Sequence, residues 1–223
     1  MRWALPFGVQ VAMSTANDGD LRVLASRERW CDHHAVPTPV VLRQIHGTHI
    51  IRVDHQDQTA REPRAGDGIL AYGAGVSLAV FGADCPPLIV ATPTCLGVAH
   101  CGWRGTAAGI VSKLITSLSA IEPTPPSTWY AFVAPGVHPA DFEVDAPVLN
   151  ARSWPRDAMQ ASRPGHAWLD LPASVASDCA DAGLRDIARC RLTTSRNPGL
   201  RSHRRDGPGF PLMCVAWRPA CAG

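Results

Sequence analysis

Short apolar runs closed by glycine, proline or aspartate alternate along the chain with polar turns. Residues 40–45 and 50–53 read as strands flanking His46-Gly47-Thr48-His49. Residues 75–81, 88–90 and 96–99 read as buried strands, being short and apolar throughout. After Gly105 the period changes. Ala107, Ile110, Val111, Leu114, Ile115 and Leu118 fall on one helical face and predict the strongest helix of the chain. The proline-rich stretch 122–126 stops it, and residues 129–133 resume as a strand. A second helix is expected over 172–182, with Gly183 as its end signal, and a last strand over 213–217. The apolar stretch 3–13, interrupted by Pro6, Gly8 and Gln10, reads as a first strand rather than a secretory signal, because no small-x-small cleavage site follows. The polar run with Gln56, Asp57, Gln58, Arg61, Glu62, Pro63 and Arg64 is expected to be an exposed loop.

Strands and helices mix without a regular βαβ rhythm and without an internal repeat, which predicts one α/β domain over 1–223 with mixed sheets. A 46% hydrophobic and 18% charged composition supplies a core and argues against disorder. The best apolar run, 76–91, contains Asp84 and two prolines, so no membrane span is expected. A net charge of +2 gives no general electrostatic case for a nucleic-acid or membrane partner. Lys113 is the only lysine, so 20 of the 21 basic residues are arginine, a bias that fits a GC-rich genome. Eight cysteines without any C-x-x-C pair, in a chain long enough to bury a core, argue against a disulfide framework or a zinc ribbon. A reducing cytoplasm is the expected compartment.

Three segments put a metal-capable or nucleophilic side chain at the end of an apolar strand: Gln44-Ile45-His46-Gly47, Ala83-Asp84-Cys85-Pro86 and the run from Ala99 through His100 to Gly105. Two imidazoles and a thiolate make a good zinc set with a fourth position open, although separations of 39 and 15 residues exclude a local finger module. Buried, hydrogen-bonded histidines beside an inert cysteine fit the same residues. So does a metal-free Cys85–His100 nucleophile pair, with Asp84 as an orienting group that on an extended chain points away from Cys85. His33 and His34, next to Cys31 and Asp32, read as a polar helix end, and His49 as a surface residue beyond the turn. Asp67 either orients a ligand from behind or simply forms an Asp-Gly turn.

The run 42–109, with Arg-Gln-Ile-His-Gly, Asp67-Gly68-Ile69-Leu70, Ala-Asp-Cys-Pro-Pro and His-Cys-Gly-Trp-Arg-Gly-Thr, closely resembles the laccase-domain family. That family was first described as multicopper polyphenol oxidoreductases and later as zinc-dependent purine nucleoside phosphorylases. Similarity continues at Ala134-Pro135-Gly136-Val137, Phe142-Glu143-Val144, Leu169-Asp170-Leu171 and 202–207. The resemblance implies a layered α/β sandwich with mixed β-sheets flanked by helices. It implies His46, Cys85 and His100 as ligands of Zn2+, with Cu2+ as the alternative ion. It further implies phosphorolysis of adenosine, inosine or methylthioadenosine with inorganic phosphate, adenosine deamination, and in some members an amidase editing a peptidoglycan precursor. The chain departs from the family pattern at 7–20, at His203, at Thr193-Thr194, at Cys101, and at Pro208-Gly209-Phe210, where an arginine is replaced. These departures keep a degenerate zinc-binding protein among the readings.

For phosphorolysis, Arg104, in a Gly-flanked turn taken to open the strongest helix, is either a phosphate contact or a structural residue paired with a carboxylate of the turn. Cys85 and Arg104 are the catalytic candidates; Gln44, Arg104, Arg204 and Arg205 are the substrate-binding ones. The H-x-E with P-C-x-x-C deaminase pattern is absent. None of the nine histidines forms an H-x-H pair, so a multicopper oxidase site is disfavoured.

Overall fold

The computed structural model describes residues 1–59 and 62–220. In chain order it contains β1 (Arg2–Ala4), β2 (Gln10–Met13), α1 (Leu24–His33), β3 (Val40–Val41), β4 (Ile50–Val53), β5 (Gly68–Tyr72), β6 (Ser77–Gly82), β7 (Pro87–Ala91) and β8 (Cys95–His100). Then come α2 (Trp103–Ala107), α3 (Ile110–Ser119), β9 (Tyr130–Val133), β10 (Glu143–Val144), α4 (Ala146–Leu149), β11 (Met159–Ala161) and β12 (Ala167–Leu169). The chain closes with α5 (Leu171–Asp181), β13 (Asp186–Arg189), α6 (His203–Asp206) and β14 (Leu212–Trp217).

Two mixed sheets, ordered β1-β2-β14-β6-β3 and β13-β9-β7-β8-β5-β4, stack face to face. Alternate residues explain why. Val11 and Met13, Leu78 and Val80, and Leu212, Cys214 and Ala216 meet Ile69, Ile89, Leu96, Val98 and Phe132 across the interface. The intervening residues are also apolar and face outward. Ala79, Phe81, Met213 and Val215 pack under Trp30 and Cys31 of α1, whereas Leu88, Val90 and Ala99 pack under α3 and α5. Burial on both faces makes these strands continuous apolar runs rather than alternating ones. A small sheet, β10-β12-β11, builds a separate cluster with Val137, Phe142 and Trp154. The expected layered α/β sandwich with mixed sheets is therefore the observed fold.

Three expectations are corrected. The helix predicted across 107–118 is two helices, because Gly109 adopts φ +85°, which breaks the chain between α2 and α3. Residues 40–45 are a strand only at Val40–Val41; beyond them Arg43 makes a single parallel bridge to Ala65, and the chain then turns toward Asp67. The stretch 3–13 is a hairpin, β1 against β2, folded at Pro6–Gly8 where Phe7 and Gly8 both have positive φ. Of the polar loop, Arg61 lies outside the described residues, as does Cys221; Glu62, Pro63 and Arg64 are exposed as expected.

Glu122, just past α3, ties that helix to the β7–β8 turn. Its buried carboxylate accepts from the Thr92 hydroxyl, from Thr94 N–H at 2.9 Å and Oγ1 at 2.7 Å, and from Thr124 Oγ1 at 2.9 Å. Burial alone would raise its pKa; the hydrogen bonds outweigh burial and bring it down to about 2. A depressed carboxyl pKa stabilises the fold above the ordinary glutamate value and loses that effect as pH falls through about 2. Glu122→Gln is expected to lower stability by on the order of 3 kcal/mol at pH 7, with the gap to wild type narrowing toward pH 2 in urea melts. Leu114→Ala, in the fully buried face of α3, is expected to cost about 2–5 kcal/mol by the same measurement.

Candidate metal centre and its pocket

The site is organised by a carboxylate. Asp67, fully buried just before β5, accepts the backbone N–H groups of Ile45, His46 and Gly47 at 3.1, 2.9 and 2.7 Å. This holds the turn that carries His46, which sits at φ +58°. The same carboxylate lies 3.0 Å from Nδ1 of His100, the last residue of β8, and the Asp67 carbonyl accepts the His100 N–H at 2.8 Å. An Nδ1–H donated to Asp67 leaves Nε2 of His100 free to face Cys85 and His46. Cys85 arrives from the link between β6 and β7. The ligand atoms of His46, Cys85 and His100 lie within 4.8 Å of one another. The two imidazoles stand edge to face, 4.9 Å apart at 87°.

Gly102 backs this triangle. A Cβ there would sit 3.1 Å from Cys85 Sγ, 3.3 Å from His46 and 3.4 Å from His100. Burial opposes the Cys85 thiolate, but hydrogen bonds from His100 and His46 outweigh it and bring the thiol down to about 7. Burial likewise opposes the charged form of His100, yet Asp67 and Cys85 raise it to about 9. Cys101, although adjacent to His100, turns into the core under α3, where burial pushes its thiol far up.

The triangle opens into a pocket of about 830 Å³. Six arginines line it, together with Phe81, Trp103, Phe142 and Phe210. Asp84, the one lining carboxylate among the described residues, already accepts from Thr194 Oγ1 at 2.5 Å and Arg204 N–H at 2.7 Å.

The family model described as multi-copper polyphenol oxidoreductase laccase matches residues 7–216. The chain belongs to this laccase family. A relative named purine nucleoside phosphorylase from Xylella fastidiosa (strain Temecula1) is 31% identical over 217 residues, covering 91% of this chain and 81% of the relative. The purine nucleoside phosphorylase YlmD of Bacillus subtilis is 33% identical over 207 residues, covering 85% and 74%. The crystal structure of YlmD from Geobacillus stearothermophilus matches with a TM-score of 0.87 at 26% identity, over 97% of this chain and 94% of that one.

Within this laccase-family pocket the sequence candidates divide. Arg104 lines the wall, its guanidinium 4.2 Å above the Trp103 ring and without a hydrogen-bond acceptor among the described residues. It lies in the five-residue α2, not at the start of the strongest helix, so its position draws nothing from a long helix dipole. Arg204 lines the pocket over Phe142 and donates to the Glu143 carbonyl at 3.1 Å. Arg205 does not line it. Its guanidinium is engaged with Asp206 and the carbonyls of Thr194, Ser195, Asn197 and Leu200, which makes it a brace for the 194–207 loop. Gln44 lines the pocket, but its amide brackets Phe81, accepting from the Phe81 N–H and donating to its carbonyl, both at 2.7 Å. The carboxylate that orients His100 is Asp67; Asp84 instead anchors α6.

His49 is exposed and bonded to the Ala65 carbonyl, and His33 closes α1 on the surface, as expected of both. Arg22, Arg27 and Arg201 also line the pocket and lie outside the family-like motifs; Arg43 lines it too, and opens the Arg-Gln-Ile-His-Gly motif without being among the expected site residues. For Arg27 a signal existed: it shares a buried helical face with Trp30 and Cys31.

Among the described cysteines other than Cys85, burial raises every thiol pKa. In protein kept metal-free with a chelator, iodoacetamide labelling at Cys85 is therefore expected to rise through about pH 7. Mass spectrometry locates the label, and His100→Ala should move the profile upward.

Proposed function

We propose that this chain is a zinc-dependent purine nucleoside phosphorylase, acting as one domain over residues 1–223 in a reducing cytoplasm, with no nucleic-acid or membrane partner. It would transfer the ribosyl group of adenosine, inosine or methylthioadenosine to inorganic phosphate. The observation that carries this reading is the His46–Cys85–His100 triangle beside a pocket whose wall presents Arg104 without a hydrogen-bond acceptor among the described residues. The names of the relatives support it.

The residues fit a zinc ion. Two imidazoles and a thiolate are a borderline-soft donor set, Asp67 fixes the His100 tautomer, and Gly102 leaves open the space a Cβ would fill. When bound, zinc would supply Lewis-acid polarisation of a substrate heteroatom. Arg104 and Arg204 bind the phosphate oxyanions and hold one oxygen against C1′ of the ribose. That oxygen forms the new bond to C1′ as the bond to the purine nitrogen breaks; the base leaves with its electron pair and takes up a proton. Phe81, Phe142 and Trp103 offer apolar surface to the base and sugar.

A metal-free thiol hydrolase is the second reading, because Asp67, His100 and Cys85 are arranged as an orienter, a base and a nucleophile with a lowered pKa. The experiment joins metal analysis to a phosphate-dependent assay for ribose 1-phosphate. About one zinc per chain and turnover lost on chelation are expected, with inosine release from adenosine scored separately for deamination. Arg104→Ala is expected to raise the KM for phosphate by roughly 10- to 100-fold at unchanged zinc content. Activity that survives chelation but not Cys85→Ser would replace the phosphorylase by the hydrolase.

A further inference from the structure

The pocket carries a second cationic wall, on the side of α1. Arg27 is 7% exposed and lines the pocket. Its Nη1 donates to the Leu21 and Arg22 carbonyls at 3.0 and 3.3 Å, and its Nε is buried without a partner. No carboxylate pairs with it among the described residues. A buried cation without a counter-ion is strongly unfavourable, and burial indeed pulls its pKa down. Its helix makes matters worse: α1 has no side-chain cap and no acidic residue in its first turn, where the helix dipole is positive.

Arg43 joins this wall. Val41 packs against the α1 cluster, and the chain stays extended through the Arg43–Ala65 bridge, so Arg43, two residues on, points to the same side. Its guanidinium is exposed and has no hydrogen-bond partner among the described residues, whereas Arg22, which also lines the pocket, is held by Asp20. Arg104 and Arg204 reach the pocket from elsewhere. They lie over Trp103 and Phe142, which belong to the cluster around the small sheet.

We propose that Arg27 and Arg43 form an oxyanion subsite on the α1 wall that takes a phosphoryl group and supplies the counter-ion that Arg27 lacks. This deepens the phosphorylase reading and rests on it for the purine part of the ligand. The phosphoryl group is either a second free phosphate ion, apart from the co-substrate held by Arg104 and Arg204, or the 5′-phosphate of a nucleoside monophosphate.

Calorimetric titration of inorganic phosphate, adenosine and adenosine 5′-monophosphate into wild type, Arg27→Gln and Arg43→Gln tests it. Arg27→Gln is expected to weaken phosphoryl ligands by about tenfold or more and Arg43→Gln severalfold, with adenosine binding unchanged in both. Dependence seen with the free ion assigns the subsite to a second free phosphate; dependence seen only with the monophosphate assigns it to a phosphorylated nucleoside. A lowered melting temperature in Arg27→Gln with unchanged phosphoryl affinity would make Arg27 a structural brace and overturn the subsite. Should Arg27→Gln fail to fold, the exposed Arg43→Gln decides, and unchanged affinity for both phosphoryl ligands overturns the proposal. Binding is read without turnover. A chain that binds phosphoryl ligands through these arginines but cleaves no nucleoside loses the phosphorylase reading alone; turnover with affinity indifferent to both loses the subsite alone.

Discussion

The carboxylate of Asp67 is the constraint on which the site depends. It draws three successive backbone N–H groups of the Ile45–Gly47 turn and the ring of His100 onto two oxygen atoms. Buried carboxylates are tolerable only when so satisfied. Satisfying this one forces His46 into a left-handed backbone conformation that a non-glycine residue otherwise avoids. One interaction thus fixes the position of one imidazole through its backbone and the tautomer of another through its side chain. Gln44 assists from the preceding residue: its amide pairs with the Phe81 backbone as a neighbouring strand would, after β3 itself has ended.

Much of the fold was legible because the strands are buried on both faces, which leaves unbroken apolar runs bounded by turn residues. What was not legible follows from tertiary context. The break at Gly109 falls inside a helical hydrophobic pattern that continues unchanged on either side, so periodicity reads straight through it. The hairpin at Pro6–Gly8 hid in one apolar stretch for the same reason. The small sheet β10-β12-β11 is made of two- and three-residue strands, too short to show any period.

The site shows a similar division. His46, Cys85 and His100 stood at strand ends beside glycine or proline, and the fold brings them together. The arginines could not be sorted by motif. Arg204 and Arg205 are adjacent in sequence, yet one faces the pocket while the other is wrapped by four carbonyls and Asp206. Near-neutral net charge concealed six arginines converging on one cavity, of which Arg22 and Arg201 are paired with Asp20 and Asp206.

The three members of the triangle do not share a sheet. His46 follows β3, at the edge of the five-stranded sheet; His100 ends β8, inside the six-stranded sheet; Cys85 rides the strand-to-strand crossing between them. The apolar interface between the sheets is non-directional and would by itself tolerate small sliding. Any ion gripped by all three side chains would cross-link the two layers at one end, converting a slip of the sandwich into a distortion of coordination geometry. Mechanical alignment of the sheets and occupancy of the site would then be a single linked equilibrium.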